Sequence, residues 1–238
     1  MRYAHKLPKS KFVNSRDKYL LQLCSNKRVL HLGFVDTGLL NERLERGEWF
    51  HQKLCDVASD VVGIDISAEG VNIAKSKGFD QVFIGDVEKL SHINFPQKKY
   101  DVILVADIIE HLTNFGDFLS ELNKIVSNDT IIIISTPNAL NLRSIIYPIA
   151  RIEKVHPGHN VIFSPTTLSN LLKRYSFVVM EISLYGKIRM PFRHSKAGLL
   201  DLISKTFIFL FDCFINILFV RIFPYFAEGM IISAKKNE

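Results

Sequence analysis

Val29-Leu30-His31-Leu32-Gly33 is the first of four short apolar stretches that decide the fold of this 238-residue chain. The other three are Val61-Val62-Gly63-Ile64-Asp65, Val82-Phe83-Ile84-Gly85-Asp86 and Tyr100-Asp101-Val102-Ile103-Leu104-Val105-Ala106-Asp107. Segments of helix length separate them. Apolar, β-branched runs with this spacing predict buried parallel strands in an α/β sheet. In such a sheet, ligands bind beyond the carboxyl ends of the strands, where the strand order reverses.

The residues that end these stretches predict what binds there. A glycine, Gly33, ends the first stretch, and an acid ends each of the next three. Bare backbone at the glycine allows a ligand to come close, and a carboxylate can accept hydrogen bonds from both hydroxyls of a ribose. The pattern predicts a pocket for a nucleoside.

The order and spacing of the stretches resemble the class I S-adenosylmethionine-dependent methyltransferases over residues 25–184. Ala106-Asp107-Ile108-Ile109-Glu110-His111-Leu112 and Ser135-Thr136-Pro137-Asn138 resemble the branch that methylates small molecules such as quinones, sugars and glycan precursors. The resemblance implies an N-terminal arm at residues 1–24 and a Rossmann-like α/β domain at residues 25–238. It implies a seven-stranded mixed sheet whose last strand, residues 229–235, is antiparallel, with a hydrophobic helical insertion at residues 185–228.

The resemblance also assigns roles to side chains in the pocket, with S-adenosyl-L-methionine as cofactor. Gly33 would lie along its methionine portion, Asp65 would accept the ribose hydroxyls, and Ile66 would contact the adenine. Asp86 would be the acid that lies beside the adenine amino group. The full set of implied cofactor-binding residues is Gly33, Asp65, Ile66, Asp86, Val87 and Ala106.

Methyl transfer to a hydroxyl requires alignment of the reacting atoms and removal of a proton. Histidine titrates near the working pH, and His111 follows the fourth stretch directly, while His156 and His159 lie on a later loop. The resemblance implies that Asp107 lies at the methionine end of the pocket. We expect His111, His159 and Asp107 to be the catalytic residues, although each histidine also fits a purely structural role. No metal site is predicted, because no pair of ligand residues is tied to a second pair by spacing.

Other functions fit the sequence less well. A dinucleotide-binding dehydrogenase needs three glycines and an acid about 20 residues on, whereas Gly33-Phe34-Val35-Asp36-Thr37-Gly38 has two glycines and Asp65 comes 32 residues after Gly33. An RNA methyltransferase would suit the net charge of +6, but the tetrad typical of base methylation is replaced by residues 135–138. A binding protein that keeps the pocket without transferring a methyl group fits the depleted glycine loop. His31 stands where the family has an acid.

Charge and hydropathy bear on location and partners. Cations cluster at residues 187–196, and residues 199–226 are rich in Phe, Ile and Leu. The longest uncharged run there, residues 213–220, is far shorter than the roughly 20 residues of a spanning helix. No secretory signal follows the basic N-terminus, so we expect a cytoplasmic protein. Because the tetrad of base methylation is replaced, we expect no nucleic-acid partner. The apolar segment fits either peripheral contact with the inner membrane face or a sheet-edge or homodimer contact.

Overall fold

The computed structural model describes residues 6–36, 38–96, 99–186 and 219–237, together with Thr206, Leu210 and Phe214. A mixed sheet of eight strands forms its centre. The strands are β1 (Lys11–Val13), β2 (Arg28–Leu32), β3 (Asp60–Asp65), β4 (Val82–Ile84), β5 (Val102–Ala106), β6 (Ile131–Pro137), β7 (Phe177–Tyr185) and β8 (Gly229–Lys236). The helices that bear on the fold are α1 (Arg16–Cys24), α2 (Leu40–Glu45), α3 (Phe50–Val57), α4 (Ala68–Ser76), α5 (Phe115–Ile125), α6 (Leu142–Ile146) and α7 (Pro165–Arg174).

The strand order across the sheet is β1-β7-β8-β6-β5-β2-β3-β4. Strands β2 to β6 are parallel, and β8 lies antiparallel between β6 and β7. The predicted Rossmann-like α/β sheet with an antiparallel last strand is confirmed. The predicted number of seven strands is one too few, because β1 pairs with β7 at the edge of the sheet. Three residues are too few to show the alternation from which a strand is predicted.

Helix boundaries follow the capping side chains at several places. The Ser67 hydroxyl caps α4 by accepting from the Gly70 N–H at 3.1 Å, and Gly78, with φ +89°, follows the helix end. Ser164 caps α7 in a capping box. Residues 39–58 have the length for one long helix or for a loop and a short helix, and the structure forms two short helices, α2 and α3.

Asn138 is of a residue type that favours helix N-caps, and the sequence predicts that a helix begins there; this prediction is wrong. The helix α6 begins later, after Asn141, whose side chain accepts from the Ser144 N–H at 3.0 Å. Asn138 is buried, and its amide donates to the carbonyl oxygens of Tyr225 and Ala227 at 2.8 and 2.9 Å. Its side chain therefore ties the end of β6 to the segment before β8, a long-range contact that no local pattern indicates.

Helices cover both faces of the central strands. Leu30 of β2 belongs to a buried cluster that includes Phe118 of α5. The adjacent Val29 belongs to a second cluster with Leu54 of α3. Because alternate residues face opposite layers and both layers are apolar, the strand carries apolar residues on both of its faces.

The strand order reverses between β2 and β5. From β2 the chain proceeds outward to β3 and β4, and it then returns to β5 on the other side of β2. The carboxyl ends of β2, β3, β5 and β6 therefore meet at one edge of the sheet, which we call the carboxyl edge. Gly33, Asp65 and Asp107 end or directly follow the first three of these strands, where α/β sheets bind ligands.

Most of the predicted insertion at residues 185–228 lies outside the described residues, as do the cations at residues 187–196. Among the helices that the structure describes, none has the length and hydropathy needed to cross a bilayer.

Candidate active site

Gly33 makes a tight turn at the end of β2. Its φ is +70°, and its N–H donates to the Ile64 carbonyl oxygen at 2.8 Å. A Cβ at this position would lie 2.0 Å from Cγ2 of Ile108. The backbone conformation and the packing against Ile108 are thus enough to explain why this residue is glycine, without any contact to a ligand. The close approach of a ligand at Gly33 stays a prediction.

Asp65 is held at the end of β3 by two backbone donors. Its side chain is buried, with 7 % of the residue exposed. One carboxylate oxygen accepts from the Val35 N–H at 2.8 Å and the other from the Ser67 N–H at 2.9 Å. Burial raises the pKa of Asp65, although these two N–H groups act to lower it. Each carboxylate oxygen keeps a second acceptor position, as a pair of ribose hydroxyls would need. The neighbouring Ile66 is 73 % exposed, an apolar surface beside a fixed carboxylate.

Asp86 has a local structural role. Its carboxylate accepts from the Glu88 N–H at 2.9 Å and caps the 3-10 turn Val87–His92. Lys89 Nζ lies 3.5 Å from its other oxygen. Val87 packs against the main core cluster. The cap formed by Asp86 is therefore observed, whereas contacts of Asp86 and Val87 with the adenine stay predictions.

Asp107 lies in a cluster that the sequence did not reveal. It has a left-handed φ of +54°, and its N–H donates to the Ser135 carbonyl oxygen at 2.9 Å. Its carboxylate accepts from the Ser135 hydroxyl at 2.8 Å and lies 3.0 Å from Arg16 Nη2. Burial acts to lower the pKa of Arg16, but Asp107, Tyr185 and Asp17 together outweigh it, so the pKa is raised and the guanidinium stays charged. The arm residue Arg16, at the start of α1, thus fixes the acid that follows Ala106, the last residue of β5.

Glu110 is a second acid of this region, and it is buried. Its carboxylate accepts from the Thr136 hydroxyl of β6 at 2.9 Å. Burial raises the pKa of Glu110 to about 7, and the negative charge of Asp107 adds to the shift. The Glu110 carbonyl oxygen accepts from the Asn160 N–H at 2.8 Å, so this residue joins the turn after β5 to a later loop.

The structure brings His111, His156 and His159 into one cluster, which we call the histidine cluster. The ring centroids lie 4.7 to 5.7 Å apart. His111 Nδ1 lies 2.8 Å from the Gly158 carbonyl oxygen, and the Asn160 amide donates to the His111 carbonyl oxygen at 2.8 Å. Burial and the other two imidazoles lower the pKa of His159. The sequence presented these histidines as two separate groups of candidates.

The model of a family described as a methyltransferase domain matches residues 14–182. The chain belongs to this methyltransferase-domain family. Membership confirms the interpretation of the sequence as a class I methyltransferase, for which S-adenosyl-L-methionine is the cofactor.

Proteins similar to this chain include two named ubiquinone biosynthesis O-methyltransferase. The one from Pelagibacter ubique is 29% identical over 144 residues, which cover 60% of this chain and 53% of the relative. The one from Rhodopseudomonas palustris strain TIE-1 is 25% identical over 184 residues, which cover 71% of this chain and 65% of the relative. The chain thus spans about half to two thirds of the length of these relatives.

Solved methyltransferase structures show the same fold. An S-adenosylmethionine-dependent methyltransferase from Archaeoglobus fulgidus has a TM-score of 0.55 and 19% identity and covers 92% of this chain and 90% of its own. Magnesium protoporphyrin IX methyltransferase from Synechocystis, with bound S-adenosylhomocysteine, has a TM-score of 0.56 and 12% identity and covers 93% and 82%. At these identities the likeness concerns the fold.

Two groups of residues share the carboxyl edge of this methyltransferase domain. Gly33, Asp65 and Ile66 lie at the ends of β2 and β3, and Asp107 and His111 follow β5. His159 joins the second group from the loop before α7. Arg16 and Ser135, which the sequence did not single out, order that group through contacts with Asp107. Their assignment to cofactor and acceptor remains a prediction.

Proposed function

We propose that this protein transfers a methyl group from S-adenosyl-L-methionine to a hydroxyl oxygen on the ring of a quinone-type small molecule. The observation that carries the proposal is the division of the carboxyl edge into a nucleoside end at Asp65 and a group of acids and imidazoles at Asp107 and His111. The names of the relatives, ubiquinone biosynthesis O-methyltransferase, favour a ring hydroxyl over the hydroxyls of a sugar or glycan-lipid precursor.

Asp65 and Ile66 fit the nucleoside portion of the cofactor. The carboxylate of Asp65 is fixed by two backbone N–H groups, so it can receive ribose hydroxyls without first losing side-chain freedom. The exposed side chain of Ile66 offers an apolar face for the adenine ring. Gly33, in the turn after β2, would lie along the methionine portion of the cofactor, where bare backbone allows a close approach.

Asp107, His111 and His159 fit the acceptor end. When bound, S-adenosyl-L-methionine supplies an electrophilic methyl group whose sulfur departs as a neutral thioether. The chain must then position the acceptor oxygen and remove its proton. Arg16 and Ser135 hold the Asp107 carboxylate in one orientation, while the imidazoles accept or relay the hydroxyl proton.

An apolar cavity supports an acceptor that carries hydrocarbon. Its volume is about 400 Å³, and described residues that line it include Leu7, Leu140 and Ile145, with residues 222–226. Leu140 follows the end of β6, and Asn138 ties that end to Tyr225. The cavity thus lies beside the carboxyl end of β6, next to the acceptor group rather than the nucleoside end.

The test begins with the purified full chain and needs no known acceptor. We expect S-adenosylmethionine to bind in calorimetric titration and S-adenosylhomocysteine to be found in protein purified without added ligand. Incubation with methyl-labelled S-adenosylmethionine and hydroxylated prenylated benzoates should then label the phenol oxygen. Bound NAD in place of S-adenosylhomocysteine would overturn the proposal, and labelling of sugars alone would overturn the acceptor class.

We also propose that an acceptor of this kind is met at a membrane surface. The cations at residues 187–196 and the apolar residues at 199–226 have the composition of an element that binds anionic lipid. Flotation with anionic vesicles should carry the protein upward at low salt and less at high salt. Protein that stays at the bottom at low salt would instead support packing of this segment in a homodimer or on the sheet edge.

A further inference from the structure

We propose that the histidine cluster, His111, His156 and His159, binds one divalent transition-metal ion of the Zn²⁺ type. Imidazole nitrogens suit Zn²⁺, Co²⁺ and Ni²⁺ better than the oxygen-seeking Mg²⁺ and Ca²⁺. Three protein ligands leave a coordination position open. We assign that position to the acceptor hydroxyl, a step that rests on the proposed function, whereas metal binding itself does not.

The spacing of the three rings is close to what one ion requires. One nitrogen from each histidine can be chosen such that all lie within 4.8 Å of one another. Ligand nitrogens about 2.0–2.1 Å from a tetrahedral Zn²⁺ lie roughly 3.4 Å apart. The remaining approach of at most about 1.4 Å is within reach of small side-chain rotations, because His111 and His156 are exposed.

Hydrogen bonds prepare His111 as a ligand. Its Nδ1 faces the Gly158 carbonyl oxygen at 2.8 Å. A carbonyl oxygen only accepts, so Nδ1 carries the proton and Nε2 presents its lone pair. Metal-binding histidines commonly donate their second N–H to a carbonyl in this way, which fixes the tautomer and the ring orientation.

His156 is the weaker ligand of the three. Its Nδ1 accepts from the Gly158 N–H at 3.1 Å, so the unprotonated nitrogen is already in use. A metal ion would have to replace this single backbone donor. We therefore expect the contribution of His156 to affinity to be smaller than those of His111 and His159.

The loop that carries two of the ligands is tied to the third. The Asn160 N–H donates to the Glu110 carbonyl oxygen and its side-chain amide to the His111 carbonyl oxygen, both at 2.8 Å. A Cβ on Gly158 would lie 3.0 Å from His111 Nδ1 and 3.3 Å from His156 Nδ1. The absence of a side chain at Gly158 thus lets the loop backbone approach both rings. Surface histidines that met by chance would not need a glycine at this position.

A metal ion at this place would act on the acceptor and not on the methyl donor. A site of three neutral imidazoles leaves the double positive charge of the ion uncompensated by its ligands, which strengthens its action as a Lewis acid. Imidazoles bound to the ion could not take the hydroxyl proton themselves. A hydroxyl bound at the open position would instead lose its proton to water at lower pH, as its O–H bond breaks and the oxygen keeps the electron pair. The resulting oxyanion is the nucleophile that methyl transfer needs.

Metal binding is tested on the full chain, prepared without a polyhistidine tag and treated with chelator. Titration with Co²⁺ should give the visible absorption of a tetrahedral complex at one ion per chain, and Zn²⁺ should displace it. His111→Ala and His159→Ala should each weaken Zn²⁺ binding at least tenfold, His156→Ala less, and Gly158→Ala should weaken it by crowding two rings. His92→Ala, a change of an exposed histidine outside the cluster, is the matched control and should bind as the unaltered chain does.

Binding of S-adenosylmethionine by the same variants separates the two proposals. Unchanged cofactor affinity together with lost Zn²⁺ binding supports the metal site. If the unaltered chain does not bind Zn²⁺, or if the variant lacking all three histidines binds it equally well, the metal site is overturned. The proposal of methyl transfer is not affected by either result. If the unaltered chain does not bind S-adenosylmethionine, the proposed function is overturned instead.

Discussion

Acid should destabilise this fold through two histidines that are buried against each other. The Nδ1 atoms of His31 on β2 and His51 on α3 lie 3.0 Å apart, and both residues are buried. One nitrogen must donate and the other accept, so at least one ring must stay neutral, and the contact is lost when both rings carry a proton on each nitrogen. Burial lowers the pKa of His51 to about 3 and that of His31 well below its ordinary value.

The size of the effect follows from the difference between folded and unfolded pKa. In the unfolded chain a histidine has a pKa of about 6.5. Since the folded pKa is lower, the unfolded chain binds more protons, and stability present above pH 6.5 is lost as the pH falls toward the folded pKa. At pH 5, about 1.5 units below the unfolded value, the loss from His51 is about 2 kcal/mol. His31 adds a loss of the same sign.

A variant isolates this contribution from those of other titrating groups. His51→Phe keeps an aromatic ring among Phe34, Trp49 and Phe79 and removes the titration. Urea unfolding followed by Trp49 fluorescence at pH 7.5 and 5 should show that the unaltered chain loses about 2 kcal/mol more than the variant. Glu110, whose raised pKa stabilises the fold as the pH falls, is present in both and cancels. Equal losses in the two proteins would refute the reasoning.

Three further substitutions have definite expected outcomes. Asp65→Ala should weaken S-adenosylmethionine binding by about 1.5–3 kcal/mol in calorimetric titration. The control Asp56→Ala, which changes an exposed aspartate on α3, should leave the affinity unchanged. Equal affinities of Asp65→Ala and the unaltered chain would remove Asp65 from the site. Gly33→Ala should lower the free energy of unfolding by about 2 kcal/mol or more, because it adds a Cβ at a positive φ and against a neighbouring side chain; denaturant unfolding measures it, and unchanged stability would contradict the packing argument. Arg16→Ala should lower kcat roughly 10²-fold by freeing Asp107 while cofactor affinity changes little; unchanged kcat would place Asp107 outside the acceptor site.

Much of the fold could be predicted because its signals are local. Residues 61–65 show a β-branched apolar run within one strand, and Ser164 with the following proline marks a helix start within four residues. The short strand β1 could not be predicted, because its three residues gain their structure only by pairing with β7. Asn138 shows the converse, a residue with a strong local preference whose side chain is used by a distant segment.

The residues of the candidate site that directly follow a strand could also be predicted, because the signals of the strands are local. Asp65 and Asp107 follow apolar strands, so their place at the carboxyl edge is implied by the strands themselves. The contact between Arg16 and Asp107 joins segments 91 residues apart, and no spacing rule connects them. His111 and His156 likewise meet only because Asn160 ties a later loop to the turn after β5.

The position of β8 determines when the acceptor end of the site can be completed during synthesis. Strand β8 is the last along the sequence, yet it separates β6 from β7, and β1 joins the sheet only through β7. A ribosome-bound chain that has not yet exposed residues 229–236 offers β7 no neighbour on that side. Strand β8 also pairs with the end of β6 that carries Ser135, so this side of β6 stays open, and β1 cannot join the sheet, until those residues have emerged. A nascent chain can therefore form the turns at Gly33 and Asp65 before it completes the acceptor end.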